Sequence, residues 1–177
     1  MSLIQTVTPE TATGETAVIY GRIQEAMGMV PNAFQLRSAS PFLLSNQAAY
    51  LGYYMSHPTL SMALLACIRM LVSQRTHCAY CIDFNGGLLV NHLGWTPEQL
   101  AATRADPAQA NLSEKEKAML QFVLKAVDDA IGIGASDLNA LRAVGWNDQE
   151  ILEGLNHGAT MVAGDILINA LKVERDF

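Results

Sequence analysis

An all-α fold follows from three features of the sequence. Apolar residues recur at helical spacing through most of the chain, helix start and stop residues bracket those stretches, and alternating runs of β-branched residues are missing. Ile19 to Met27 follows a 3.6-residue period, which Gly28-Met-Val-Pro31 breaks. Pro31 to Leu36 predicts a short second helix ending before Pro41. Phe42 to Met55 predicts a third, stopped by His57-Pro58. Ser61 is the expected N-cap of a long fourth helix, Met62 to about Gln74.

Thr76 is the expected N-cap of the fifth helix, which puts Cys78 in its first turn and Cys81 just beyond. This helix runs through Gly86-Gly87 to Leu93 and closes at Gly94. The two inner glycines cost helix propensity, so they are expected to admit a close helix or a substrate. Thr96 and Pro97 open the next helix as N-cap and first residue. After the Asp106-Pro107 break, Ser113-Glu-Lys-Glu116 is a capping box for a helix to about Ala130. Ser136 begins a short helix ending at Gly145, and Asn147 opens the last and longest, to about Val173. Leu93-Gly-Trp-Thr-Pro-Glu-Gln-Leu and Val144-Gly-Trp-Asn-Asp-Gln-Glu-Ile echo one another, either as traces of a duplication or as one helix corner used twice.

A chain of 177 residues is the size of one domain. We expect an N-terminal arm at 1–13, N-terminal helices at 14–58, a cysteine-bearing core at 59–95 and C-terminal helices at 96–177. A net charge of −6 without clustered Lys or Arg argues against nucleic acid as partner. Half of the residues are hydrophobic and only 16% are charged, against about 25% in a typical soluble domain. No apolar run is long enough to span a membrane, so a homo-oligomer that hides the excess is expected. The N-terminus lacks the basic and apolar regions of a signal peptide, and a cytoplasmic location is the default.

Cys78 and Cys81 form a CxxC, in Arg75-Thr-His-Cys-Ala-Tyr-Cys-Ile-Asp-Phe-Asn85. Two sulfurs three residues apart share one helix face, within reach of a disulfide or a common metal. In a reducing compartment such a pair is redox-active or metal-binding rather than a permanent staple. The metal reading needs about four ligands. Cys67, His77, His92 or His157 would have to supply two of them, without a second CxxC or an HxxxH, so no metal is expected. Cys67 is expected in the core, as are most of the eight methionines.

Helpers for the sulfurs are harder to find. Asn85 lies one turn beyond Cys81, but an amide does not transfer protons near neutral pH. His77 adjoins Cys78 and is expected to be solvated; Asp83 is a further neighbouring candidate. His157 and Asp165 are polar residues in the apolar last helix. Each is either a subunit contact, the favoured reading, or a proton relay facing the cysteines.

With these residues in place, the chain resembles the alkylhydroperoxidase D-like, or carboxymuconolactone decarboxylase, family, and within it the peroxidase-related group. Three blocks carry the resemblance: Ile19 to Phe34; Leu60 to Cys81 with its Cys-Ala-Tyr-Cys; and Leu112 through Val144-Gly-Trp-Asn-Asp-Gln-Glu-Ile-Leu152 into the final helix. The resemblance implies a helical domain of about eight to nine helices, self-association as trimers or hexamers (a dimer being possible), and thiol-dependent peroxidase or disulfide-reductase activity. It implies no bound cofactor, an external dithiol or reductant protein, and Cys81 as attacking with Cys78 as resolving sulfur. The helix-end argument favours Cys78 instead.

In redox-active members of this family a Glu stands twelve residues before the first Cys and a His four after the second; here those positions hold Ala66 and Asn85. Asp165-Ile166 stands where the similar group has an Asn-Arg pair. The expected function is therefore a CxxC peroxidase or disulfide reductase whose proton relay is rebuilt from other groups. The alternatives are a non-catalytic helical oligomer with vestigial or redox-sensing cysteines and, more weakly, a lactone decarboxylase using His157 or Asp165 as base.

Overall fold

A computed structural model describes residues 2–176. These residues form nine α-helices and one 3-10 turn, with no strand among them. The helices are α1 (Gly14–Met27), α2 (Asn32–Arg37), α3 (Pro41–Met55), α4 (Met62–Arg75), α5 (Ala79–Asn91), α6 (Pro97–Ala105), α7 (Glu114–Asp128), α8 (Ala135–Ala143) and α9 (Asp148–Ala170). The 3-10 turn, Pro107–Gln109, follows α6 where the sequence predicts only a break.

The capping residues act as their chemistry dictates. Ser61 Oγ accepts from the Leu64 amide at 3.1 Å. Thr96 and Gln99 form a reciprocal box at α6, as do Ser113 and Glu116 at α7. Asn147 and Glu150 repeat it at α9, with both bonds at 2.9 Å. The Gly-Trp echo has a local cause. Gly94 and Gly145 both have positive φ, and the Trp amide that follows each one bonds a carbonyl near the end of the preceding helix, Leu89 or Leu141. Each is a left-handed helix stop, which accounts for the repeat without a duplication.

Helix ends that the sequence misplaces stop without glycine. His77 (φ 55°) ends the α4 corner, with the Cys78 amide bonding the Ser73 carbonyl at 2.9 Å. Lys172 (φ 55°) does the same after α9, where Val173 bonds Ile168. Thr76 therefore closes α4 rather than opening α5, whose N-cap is Cys78. The left-handed residue is a His or a Lys, which gives the sequence no stop signal.

The chain divides into two compact units, Met1–His57 with Leu167–Phe177, and Pro58–Ile166. In the first, Ile19, Tyr20, Ile23, Val30, Phe34 and Leu44 form the core. The expected N-terminal arm is tied to it. The Val7 amide donates to Ser38 Oγ at 2.7 Å, and the Tyr20 hydroxyl donates to the Val7 carbonyl at 2.9 Å.

The second unit is built on α4, which is buried over nearly all of its length from Leu64 to Ser73. A helix that is apolar on every side belongs in the middle of its neighbours. It packs against α5 and against the Met119, Leu120 and Val123 face of α7. In α9, Gly154 and Gly158 stand four residues apart on one face. A Cβ at Gly158 would collide with Val123 and touch Ile68 and Val72, and one at Gly154 would meet Met119 Sδ at 2.7 Å. These glycines let α9 lie close to α4 and α7. Gly86 performs the expected close approach on α5, with Leu100 Cδ2 3.3 Å from its Cβ position. Gly87 meets only Asn91 of its own helix, at 3.7 Å.

Candidate active site

The α4 corner fixes the cysteines. His77 turns the chain, Cys78 becomes the N-cap of α5, and Cys81 occupies its first turn. Both thiols are reduced; Cys78 is fully buried and Cys81 is 4% exposed. Both residues are therefore closed off from solvent in this conformation.

Asp165 of α9 completes the group. One of its carboxylate oxygens and the two sulfurs all lie within 4.8 Å of one another. Asp165 is itself completely buried. Its two oxygens are held separately: Ser73 Oγ donates to Oδ1 at 3.1 Å and Thr76 Oγ1 donates to Oδ2 at 2.6 Å. A buried carboxylate requires such donors, and here both come from the C-terminal end of α4. Thr76 therefore orients Asp165 in place of the expected cap. The favoured reading of Asp165 as a subunit contact is corrected by its burial and its bonds within the chain.

The electrostatics act on Cys81 and Cys67 for different reasons. Cys81 is held far above the ordinary thiol range by its hydrogen bond to Cys78, by burial and by the neighbouring Asp165 charge. It is a protonated thiol at rest, bonded to Cys78 and within hydrogen-bond reach of Asp165. Burial, with a contribution from Glu116, pushes Cys67 up to about 12. Cys67 is an inert core residue, as expected.

A second polar group lies one turn along α5. Asn85 Nδ2 donates to the Cys81 carbonyl at 2.8 Å, and its Oδ1 accepts from Arg69 Nε at 2.6 Å. Arg69 Nη1 lies 3.1 Å from His157 Nε2. A guanidinium only donates, so Nε2 accepts and the imidazole proton is on Nδ1. Asn85 and His157 thus brace the α4, α5 and α9 contact, and the expected subunit contact for His157 is replaced by a buried bond within the chain.

The remaining candidates stand apart. His77 is exposed at the corner, and Asp83 is half-buried two residues past Cys81, on another face of α5. Ala66 is a core residue, fully buried in α4. The carboxylate beside the sulfurs is that of Asp165, supplied from α9. Arg69, Ser73 and the supporting role of Thr76 escape the sequence reading; their only signal is polarity inside an apolar helix.

No protein-family model matches the chain, and no curated protein matches its sequence. Solved structures do match its fold. An uncharacterized peroxidase-related protein with an alkylhydroperoxidase D core, from Ralstonia eutropha JMP134, superposes with a TM-score of 0.86 at 19% identity, over 99% of this chain and 92% of that one. A peroxidase-related protein from Silicibacter sp. TM1040 gives 0.80 at 23% identity, over 97% and 87%. The debrominase Bmp8, as a cysteine-to-alanine variant in complex with 2,3,4-tribromopyrrole, gives 0.76 at 14% identity, over 99% and 94%. With nine helices among the described residues and these superpositions over nearly its whole length, the chain has the alkylhydroperoxidase D-like fold.

Proposed function

We propose that the protein is a dithiol oxidoreductase of the peroxidase type, with Cys81 attacking, Cys78 resolving and Asp165 moving the proton. The observation that carries this reading is the buried cluster of two thiols and one carboxylate within 4.8 Å. Cys81 is within hydrogen-bond reach of Asp165 and is the less completely buried residue of the two, which supports its assignment as the attacking one.

The chemistry balances without a bound cofactor. Asp165 takes the Cys81 proton as the sulfur attacks the outer peroxide oxygen, the O–O bond breaks, and the same proton passes to the departing alkoxide. Cys81–SH and ROOH become Cys81–SOH and ROH. Cys78–SH then displaces water from the sulfenic acid to form the Cys78–Cys81 disulfide. An external dithiol reduces it and is itself oxidised to a disulfide. A cytoplasmic location fits this cycle, since a reducing compartment regenerates the pair. Self-association as a homo-oligomer fits the apolar composition and exposed side chains such as Phe42 and Leu152.

The test is to treat the reduced protein with one equivalent of hydroperoxide and map the thiols. The reading expects Cys78 and Cys81 to disappear together into an intramolecular disulfide, in neither Cys→Ser variant, with Cys67 unmodified. Retention of all three thiols would refute it.

The superposition on Bmp8 favours a second electrophile for the same dithiol. In a reductive debromination by this pair, a carbon–bromine bond is replaced by carbon–hydrogen, two thiols become one disulfide, one thiol proton ends on the carbon and the other is released with bromide. Bromide release from 2,3,4-tribromopyrrole in step with disulfide formation supports it, and release that persists in the Cys81→Ser variant excludes it.

A further inference from the structure

We propose that the reduced site is also a redox-gated binding site for a thiophilic divalent cation such as Zn²⁺ or Cd²⁺, ligated by Cys78 Sγ, Cys81 Sγ and the Asp165 carboxylate. The three donor atoms lie within 4.8 Å of one another, and all three residues are buried. Two sulfurs in the set select zinc-like ions over Mg²⁺ or Ca²⁺, which take oxygen ligands. The third ligand is neither a Cys nor a His but the carboxylate that α9 brings in.

The donors are held before any ion arrives. Cys78 and Cys81 sit at the start of α5, and Asp165 is oriented by one hydroxyl on each oxygen, from Ser73 at 3.1 Å and Thr76 at 2.6 Å. Hydroxyl donors behind a ligating carboxylate are the usual outer support of a metal site. Each carboxylate oxygen keeps lone-pair capacity beyond its single bond. Three protein ligands leave the fourth tetrahedral position for a water molecule.

Binding releases the two thiol protons, and the divalent charge offsets two thiolates and a carboxylate that burial would otherwise penalise. The gate follows from the ligand set. A Cys78–Cys81 disulfide removes two of the three donors, so oxidation expels the ion, and a bound ion withholds both sulfurs from oxidation. This inference concerns binding alone and stands whether or not the protein turns over peroxide.

The probe is Cd²⁺ added to the full-length reduced protein, followed by its thiolate charge-transfer absorbance. One Cd²⁺ per chain is expected, with the band lost in the Cys78→Ser variant and after the pair is oxidised with diamide. Asp165→Asn preserves side-chain shape and is expected to weaken Cd²⁺ at least about 10-fold, and Ser73→Ala, which removes outer support only, by about 10-fold. Circular dichroism checks that each variant is folded. Absence of the band in the wild type, or a band of unchanged affinity in folded Asp165→Asn, overturns the proposal.

Discussion

At Cys81, two effects of one neighbour oppose each other. The Asp165 charge disfavours a Cys81 thiolate, yet the same carboxylate is placed to take the thiol proton. Substitution by Asn separates these effects by sign. If proton transfer dominates, Asp165→Asn slows peroxide-driven disulfide formation by about 10²–10⁴-fold near neutral pH. If the charge dominates, the rate rises; stopped-flow thiol loss decides between them, and we expect the fall. The pH dependence follows from the raised Cys81 value. A thiol held above its ordinary range ionises only as pH increases, so alkylation of Cys81 accelerates from about pH 7 to 9 without a plateau. Cys67, pushed to about 12 and buried, stays unalkylated in the same native samples.

The sulfurs were legible at this scale, since a CxxC declares itself by spacing. Their carboxylate was less so. Asp165 is an evident oddity in an apolar helix, but no local rule says which way it faces, and the Ser73 bond that decides it links positions 92 residues apart. Thr76 carries a competing signal: a Thr before a helix reads as a cap, while the corner itself rests on a left-handed His77.

At the scale of elements, Gly158 sets how closely α9 can approach α7 and α4. A methyl there meets Val123, a stiff β-branched side chain, so Gly158→Ala is expected to destabilise by about 1–3 kcal/mol despite the better helix propensity of Ala. Gly87→Ala is the control. Its Cβ meets only Asn91, at an ordinary 3.7 Å, so the substitution should stabilise by up to about 1 kcal/mol. Urea unfolding of both variants checks the pair of signs, and equal effects would dismiss the close seam along α9. The caps at Ser61, Thr96, Ser113 and Asn147 were readable because each rests on hydrogen bonds between near neighbours in the chain. The seam was not, although the Gly154 and Gly158 spacing carried its signal. Small residues show only that a neighbour can come close, and tertiary packing chooses the neighbour.

For the whole molecule, the composition and the fold agree. The all-α class came from periodicity and punctuation, both local quantities, and the superpositions bear it out. No helix among the described residues is long and apolar enough to cross a membrane. Exposed apolar side chains remain, including Phe42 at 72%, Leu152 at 67% and Ile166 at 59%. Light scattering after size exclusion is therefore expected to give a multiple of 19.2 kDa. A monomer at micromolar concentration would remove the oligomer from the account.

Under the proposed function, Cys78 and Cys81 form a working redox couple although Ala66 and Asn85 stand where redox-active proteins of the family the chain resembles carry a Glu and a His. Peptide mapping by mass spectrometry, after a brief pulse of hydroperoxide on the reduced protein, tests it most directly. A Cys78–Cys81 disulfide is expected in the wild type, with a marked delay in its appearance in Asp165→Asn. Free thiols at both positions after the pulse would contradict it.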